Sequence, residues 1–225
     1  MKLLTYKIKK FDTPQIGVLQ NQLVYNLNNC FGNISLLDLI QLKDYQDQVA
    51  NFISNNDCLK HDIEDITVLP VIPKPTSFRD AYAFRQHVAT SRQNRGAEMI
   101  PEFDEFPVFY FSNHNAMFAD GQNIELMPDH FHRLDYELEF AIVIGKGGKN
   151  ILSKDADNHI AGFCILNDLS ARRLQMEEMK LNLGPAKGKD FANVIGPYLV
   201  TPNELESKSI DTPFGKKYDL QMSCY

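Results

Sequence analysis

The first third of the chain alternates short apolar runs with polar turns and then changes to a helical period. Residues 3–9 and 16–27 have the apolar pattern of strands, and residues 20–22 (Gln-Asn-Gln) interrupt the second run as a turn. This pattern predicts a small β-hairpin. Between Ser35 and Phe52 the apolar side chains recur at helical spacing, which predicts one amphipathic helix.

A proline-rich stretch separates this part from the rest of the chain. Residues 65–75 contain three prolines at positions 70, 73 and 75, which favour an extended linker and disfavour a helix. We therefore predict a small N-terminal domain of hairpin plus helix at residues 1–72 and a second domain at residues 73–225. Strand-like apolar runs dominate the second part, at residues 107–111, 137–144, 159–166 and 197–200.

Composition excludes several classes of protein. The 225 residues are 44% hydrophobic with a formal net charge of -6, and no Lys/Arg stripe accompanies the aromatic residues, so we expect no nucleic-acid partner. No apolar stretch is long enough to cross a bilayer, and the N-terminus lacks a signal-peptide core. The four cysteines are scattered without a CxxC pair, which predicts neither a zinc knuckle nor a disulfide framework. We expect a cytoplasmic protein without a membrane partner.

Two carboxylates lie one residue apart in the apolar run at residues 134–145. Successive side chains of a strand point to opposite faces, so Glu137 and Glu139 share one face while Leu138 and Phe140 take the other. Carboxylates held together in apolar surroundings repel each other and lose hydration, and a divalent cation with oxygen ligands relieves both penalties. We interpret the pair as part of a metal site. The alternative is a strand face exposed to water.

Two further carboxylates and a histidine lie near predicted helix starts. Asp168 follows a buried strand at the point where a helix begins, and Asp80 precedes a helix predicted at residues 81–93. Either aspartate could simply be a helix N-cap. His87 lies on the helix at 81–93, where a surface or capping role is the commoner fate of an isolated histidine.

Four ordered motifs resemble the fumarylacetoacetate hydrolase family. They are Phe-Arg-Asp-Ala-Tyr at 78–82 with Arg-Gln-His at 85–87, Asp-Tyr-Glu-Leu-Glu at 135–139, Asn-Asp-Leu-Ser-Ala-Arg at 167–172, and Gly-Pro-Ala-Lys-Gly-Lys-Asp-Phe at 184–191. Their shared order over about 115 residues argues against chance, although each motif alone has a purely structural explanation. Weaker similarity reaches back through the hairpin and forward to residues 200–202.

The resemblance implies a mixed α+β, β-rich fold. A β-roll or barrel-like catalytic domain at residues 73–225 would follow the small N-terminal α/β domain. It also implies a divalent cation bound by Asp80, Glu137, Glu139 and Asp168. Mg²⁺ or Ca²⁺ suits such an all-oxygen set, and Mn²⁺ could substitute. A homodimer is a further implication of the family.

The resemblance also implies a reaction. Family members act on small β-diketo or 2-oxo acids, such as fumarylacetoacetate and acylpyruvates, in the catabolism of aromatic compounds. Carried over to this chain, His87 is the general base for the attacking water, and Lys189 with the cation stabilises the enolate leaving group. Arg95 and Gln175 contact the substrate during catalysis, and Tyr82 is a further contact. We therefore expect a metal-dependent hydrolase of carbon-carbon bonds.

The residue types agree with this chemistry. Cleaving a bond between two carbonyl groups requires a nucleophile at one carbonyl and an electron sink at the other. Histidine suits the base because its usual pKa lies near neutral pH. Local positive charge for a small anionic substrate is available on five side chains, Arg85, Arg92, Arg95, Lys187 and Lys189. Lys187 is the nearest competitor for the role given to Lys189.

The sequence leaves the substrate and the type of reaction open. Animal fumarylacetoacetases have a substrate-binding tyrosine shortly after the position of Gln175, whereas residues 177–180 here read Glu-Glu-Met-Lys, so the substrate is not fixed. Residues 219–225 read as the middle of a strand, and the family continues further, so we expect the chain to be incomplete at its C-terminus. Family decarboxylases, isomerases and hydratases keep the same metal set. A non-catalytic metal-binding fragment is the alternative from another class. Residues 98–105 are interpreted as an ordinary solvated loop, and a mobile loop near the site is the alternative.

Overall fold

The computed structural model describes residues 1–55 and 58–224. Its strands are β1 (Lys2–Ile8), β2 (Gln15–Gln20), β3 (Leu23–Asn26), β4 (Lys60–Asp62), β5 (Ile66–Val68), β6 (Arg79–Asp80), β7 (Tyr110–Phe111), β8 (Met117–Phe118), β9 (Leu134–Ile144), β10 (Ile160–Ala171), β11 (Asn193–Val200), β12 (Ser209–Thr212) and β13 (Gly215–Tyr218). Its α-helices are α1 (Asn28–Phe31), α2 (Leu36–Gln41), α3 (Tyr45–Ser54), α4 (Arg85–Gln93), α5 (Glu102–Glu105), α6 (Arg172–Met179) and α7 (Ala186–Lys189). Short 3₁₀ segments lie at Ile63–Asp65, Pro128–Phe131, Ser153–His159 and Pro202–Lys208.

One large sheet organises the molecule. Its strands follow the order β4-β3-β2-β1-β11-β10-β9, with β5 also paired to β1 and β8 to β11. Every pair is antiparallel except β8 with β11. The mixed, β-rich fold predicted from the sequence is confirmed, and the described strands form an open sheet, not a closed barrel. Two small antiparallel ribbons, β12-β13 and β6-β7, form separate sheets.

The predicted hairpin is present as β2 and β3. Gln20 pairs with Leu23, which leaves a two-residue turn. Both turn residues have positive φ angles, 48° at Asn21 and 69° at Gln22. Two successive residues of this kind give a turn whose twist matches that of the flanking strands.

The single helix predicted at residues 35–52 is wrong, because the chain breaks it into α2 and α3. Ser35 caps α2 in a reciprocal capping box with Asp38. Leu42 then leaves the helix in an extended conformation, and Asp44 enters α3 with a φ of 53°. The turn changes the direction of the chain, and buried residues of both helices belong to the same core.

Sheet and core both cross the predicted domain boundary at residue 72. Strand β1 pairs with β11, with Leu3 opposite Leu199, and the two leucines belong to the same buried cluster. The proline-rich stretch is packed as well, since Val71 and Ile72 are buried. The domain boundary at residue 72 stays a prediction. The strand pairing and the shared core connect residues 1–72 with residues 73–225.

The N-cap interpretations of Asp80 and Asp168 are wrong. Strand β10 continues through Asp168 to Ala171 before α6 begins, so Asp168 lies inside a strand. Asp80 lies in β6, paired with β7, and α4 begins only at Arg85, with Phe84 at its N-cap. In both cases strand pairing with distant residues extends the strand beyond the point that local sequence indicates.

Three smaller expectations also change. The run at residues 107–111 narrows to the two-residue strand β7, and the loop at 98–105 contains α5. Residues 219–224, expected to be part of a strand, have no regular secondary structure, and Tyr225 lies outside the described residues.

None of the helices in residues 1–55 and 58–224 combines the length and the apolar character that a bilayer crossing requires.

Candidate metal centre and active site

Strand register brings three carboxylates to one face of the large sheet. In the antiparallel pair of β9 and β10, Glu137 lies opposite Asp168, and Glu139 lies opposite Leu166. Directly opposed residues share a face, and so do residues two apart on one strand. Glu137, Glu139 and Asp168 therefore project together, as the alternation along residues 134–145 predicts. The glutamates are half-buried and Asp168 is buried.

Asp80 completes a cluster from a different part of the fold. Its strand β6 pairs with β7, where Asp80 lies opposite Tyr110, and the Tyr110 hydroxyl donates a hydrogen bond to the Asp80 carboxylate. Asp80, Glu139 and Asp168 each offer one carboxylate oxygen, and these three oxygens lie within 4.8 Å of one another. Three of the four predicted metal ligands thus converge on one point.

Glu137, the fourth predicted ligand, forms ion pairs with two basic side chains. Its Oε1 accepts contacts from Arg172 Nη1 at 2.6 Å and from Lys189 Nζ at 3.0 Å. Lys189 Nζ also donates a hydrogen bond to the Asp168 carboxylate. Its side chain is 3% exposed, whereas Lys187 is exposed to solvent. Of the two lysines considered, Lys189 is the one that reaches the carboxylates.

The excess of negative charge shifts the titration of this cluster. Burial, and then the neighbouring carboxylates, raise the pKa of Glu139 to about 8. Burial also raises the pKa of Asp168 to about 7, although Lys189 acts in the opposite direction. For Glu137, burial alone would raise the pKa, but Lys189 and Arg172 outweigh it and hold the pKa below its usual range. Lys189 also lowers the pKa of Glu139, but burial and the neighbouring carboxylates outweigh it.

The cluster fits a hard divalent cation. Among the described residues, Asp168 Oδ1 is buried without a hydrogen-bond partner, and buried polar atoms of this kind normally have one. Carboxylate oxygens are the ligands that Mg²⁺, Ca²⁺ and Mn²⁺ prefer. Asp80, Glu139 and Asp168 would hold such an ion, with Glu137 beside it, and the ion would polarise a carbonyl oxygen.

The other predicted site residues line one open groove that also contains Glu137, Glu139 and Lys189. They are Tyr82, His87, Arg95 and Gln175. Gln175 is linked to the cluster through Arg172, whose Nη1 donates a hydrogen bond of 3.2 Å to Gln175 Oε1 and also contacts Glu137. The structure thus brings all of these residues to one groove.

The residues from the α4 side do not contact the carboxylates. Tyr82 stacks on Phe103 with ring centroids 6.0 Å apart. Arg95 Nε donates to the backbone oxygen of Ser91 at 3.0 Å. His87 is exposed, and its ring makes no hydrogen bond within the described part of the chain. A substrate would have to bridge from α4 to the carboxylates.

Three residues of the site were missed in the sequence analysis. Arg172 ends the motif at 167–172 and contacts Glu137, and Tyr110 lies 30 residues from the Asp80 that it contacts. Asn193 is 0% exposed, lies opposite Asp168 across β10 and β11, and has an amide group without partners among the described residues. The roles of Tyr110 and Asn193 depend on strand register, which the sequence does not show. Arg172 could have been found locally, because it ends the motif that contains Asp168.

Comparison with known proteins supports a family relationship. The family model described as "Fumarylacetoacetate (FAA) hydrolase C-terminal" matches residues 76–225. A fumarylacetoacetase of Oryza sativa subsp. japonica is 33% identical over 129 residues, which cover 50% of this chain and 30% of that protein. The oxaloacetate tautomerase YisK of Bacillus subtilis is 31% identical over 121 residues, which cover 53% of this chain and 40% of that protein.

A solved structure shares the fold. The maleylpyruvate hydrolase of Sphingobium sp. SYK-6, in complex with manganese(II) and pyruvate, matches with a TM-score of 0.65 and 16% identity, over 92% of this chain and 70% of that one. The matched segment spans only 30% of the rice relative and 40% of the Bacillus relative. The family model, by contrast, covers most of the present chain, from residue 76 to residue 225. The chain belongs to the fumarylacetoacetate hydrolase family.

Proposed function

We propose that the protein is a divalent-metal-dependent hydrolase that cleaves a carbon-carbon bond in a small β-diketo acid. Fumarylacetoacetate or a related acylpyruvate, from the catabolism of aromatic compounds, is the proposed substrate class. The observation that carries the proposal is the convergence of Asp80, Glu139 and Asp168 within 4.8 Å beside a buried lysine. A 1,3-dicarbonyl acid offers the oxygen atoms and the negative charge that such a centre would bind once a cation is present.

The relatives support this choice of chemistry. The rice relative is named a fumarylacetoacetase, and the Sphingobium structure is a maleylpyruvate hydrolase with manganese and pyruvate. A small 2-oxo acid and a divalent ion therefore occur together in a protein of the same fold. For this chain we propose Mg²⁺, Ca²⁺ or Mn²⁺ at the carboxylate cluster.

The residues have distinct roles in the proposed reaction. A bound cation would act as a Lewis acid on the substrate oxygens. His87 takes a proton from water, whose oxygen attacks one carbonyl carbon. When the carbon-carbon bond breaks, its electron pair moves into the enolate of the other fragment, and the Lys189 ammonium stabilises that charge. Arg95, Gln175 and Tyr82 hold the substrate in the groove. Protonation of the enolate carbon then completes the two products.

A second candidate reaction is tautomerisation or isomerisation of a 2-oxo acid. Two observations favour it. His87 is exposed and, in the described ranges, has no carboxylate that would orient it as a base, and the Bacillus relative is named an oxaloacetate tautomerase. Such a reaction needs the cation centre and a group that takes a proton from carbon and returns one to another atom, but it needs no attacking water. A decarboxylase or a hydratase would use the same centre.

Product analysis tests the proposal and separates the candidates. The chain is mixed with acetylpyruvate, fumarylacetoacetate or oxaloacetate in Mg²⁺, in Mn²⁺ or in EDTA, and the products are identified by NMR. EDTA-sensitive formation of two acids would support the hydrolase. An unchanged carbon skeleton with rapid keto-enol exchange of oxaloacetate would support the tautomerase. Neither reaction in a chain that demonstrably binds Mn²⁺ would contradict both and favour a non-catalytic metal-binding protein.

Two further parts of the proposal concern the whole molecule. We propose that the protein acts as a homodimer in the cytoplasm, as its family resemblance implies. Sedimentation of the purified chain at micromolar concentration would test the dimer, and a monomer would contradict it.

A further inference from the structure

Lys189 is carried by α7, an element too short to keep its shape alone. The helix has four residues, Ala186–Lys189, and isolated helices of this length are unstable in water. Yet the Lys189 side chain is buried and contacts both Asp168 and Glu137. Contacts outside α7 must therefore fix it.

Glu178 of α6 supplies such a contact with both of its carboxylate oxygens. Oε1 accepts a hydrogen bond from the backbone N–H of Lys187 at 2.9 Å, and Oε2 accepts one from the backbone N–H of Gly188 at 2.8 Å. Hydrogen bonds to an ionised acceptor are stronger than neutral ones, and two in parallel also fix orientation. The two amides immediately precede Lys189 along the chain.

Close packing at the same junction leaves α7 little room to shift. A Cβ atom added to Gly188 would lie 2.6 Å from Gln175 Cβ and 2.7 Å from Gln175 Cα. The backbone of α7 therefore touches the backbone of α6 beside a residue that lines the groove. Helix α6 thus presents Arg172 and Gln175 to the site and holds α7 through Glu178.

We propose that Glu178 is a positioning residue that keeps the Lys189 ammonium against Asp168 and Glu137. It acts through the backbone amides of Lys187 and Gly188 and does not touch the substrate. The importance of this contact for turnover rests on the function proposed above, but the positioning itself can be measured without turnover.

Acylation of lysine amines by acetic anhydride reports the position of Lys189 directly. Lys187, two residues away and exposed, is the internal reference in the same peptide, and mass spectrometry gives the ratio of the two rates. In the native chain we expect Lys189 to react far more slowly than Lys187. Glu178→Gln keeps the shape of the side chain but lets only one oxygen accept, so the Lys189 rate relative to Lys187 should rise at least about tenfold.

Glu177→Gln is the matched control. Glu177 neighbours Glu178 on α6 but is exposed and pairs with Arg173, at 3.2 Å. This variant should leave the Lys189 rate unchanged. Hydrogen exchange at the amides of Leu166 and Ile195, in the central strands, shows whether each variant is folded.

The outcomes separate cleanly. A faster Lys189 in a folded Glu178→Gln variant, with native behaviour of Glu177→Gln, supports the proposal. A Lys189 as slow as in the native chain overturns it. If Glu178→Gln does not fold, amide hydrogen exchange of the native chain decides. Slow exchange at Lys187 and Gly188 supports the two hydrogen bonds to Glu178, and exchange at the rate of a solvent-exposed amide overturns the proposal. A native chain without turnover would reject the proposed function and leave this result unaffected.

Discussion

At the scale of single residues, the positive charge of Lys189 compensates part of the negative charge of the buried carboxylates. It contacts Asp168 and Glu137 while only 3% of its own side chain is exposed. Removing one partner of a buried ion pair leaves an uncompensated charge behind. The same carboxylates would gain a new partner if a divalent cation bound.

The first prediction concerns Lys189→Met, measured by urea unfolding in EDTA. Because Asp168 loses the cation with which it pairs in the described structure, we expect the free energy of unfolding to fall by about 3 kcal/mol. Lys187→Met removes an exposed lysine of the same helix and should change it little. Adding Mg²⁺ or Mn²⁺ should restore part of the loss in Lys189→Met. An unchanged stability in EDTA would show that the ion pair is not important for folding.

The second prediction is a pH dependence. The pKa of Glu139 rises from its usual 4.5 to about 8 in the folded chain. The folded chain therefore holds a proton that the unfolded chain has lost, and stability falls as the pH increases between about 5 and about 8. In EDTA, Glu139→Gln should have a flatter stability profile over this range. Equal slopes for the native chain and the variant would contradict the raised pKa.

Residue types and their alternation predicted much of the site. A period of two places Glu137 and Glu139 on one face, and in the structure the two residues lie in β9 opposite Asp168 and Leu166. The partner of each carboxylate could not be predicted in the same way. The hydrogen bond of Tyr110 to Asp80 and the ion pair of Lys189 with Asp168 join distant parts of the sequence, and only the folded chain brings them together.

At the scale of elements, local signals were right about type and wrong about extent. The hairpin of β2 and β3 has its predicted turn because two adjacent residues adopt positive φ. The helix predicted at residues 35–52 divides into α2 and α3, and β10 runs past the helix start that residues 167–170 indicate. Residues of both helices join one core, and pairing with β9 extends β10 to Ala171.

The third prediction concerns the junction between α6 and α7. Gly188→Ala adds a Cβ that would lie 2.6 Å from Gln175 Cβ, so the two helices must separate. Such overpacking destabilises a protein by about 1 to 3 kcal/mol. Gly147→Ala is the control, because its added Cβ meets no atom within 4 Å. Urea unfolding of both variants measures the difference, and equal stabilities would contradict the close packing.

At the scale of the whole molecule, the large sheet joins the N-terminal strand β1 to the strands that carry the site. Strand β1 pairs with β11, which pairs with β10, which carries Asp168. Composition and motifs predicted a β-rich member of a known family but could not predict this order of strands. The order depends on which strands pair, and a single sequence carries little information about long-range pairing.

Manganese binding shows directly whether Asp80, Glu139 and Asp168 form a divalent-cation site. Titration of the native chain with Mn²⁺, followed by the EPR signal of the free ion, should show one bound ion per chain. Glu139→Gln should weaken that binding at least about tenfold because it removes a charged ligand, while Glu105→Gln, on exposed α5, should bind as the native chain does. Native affinity in Glu139→Gln, or no binding by the native chain, would contradict the account.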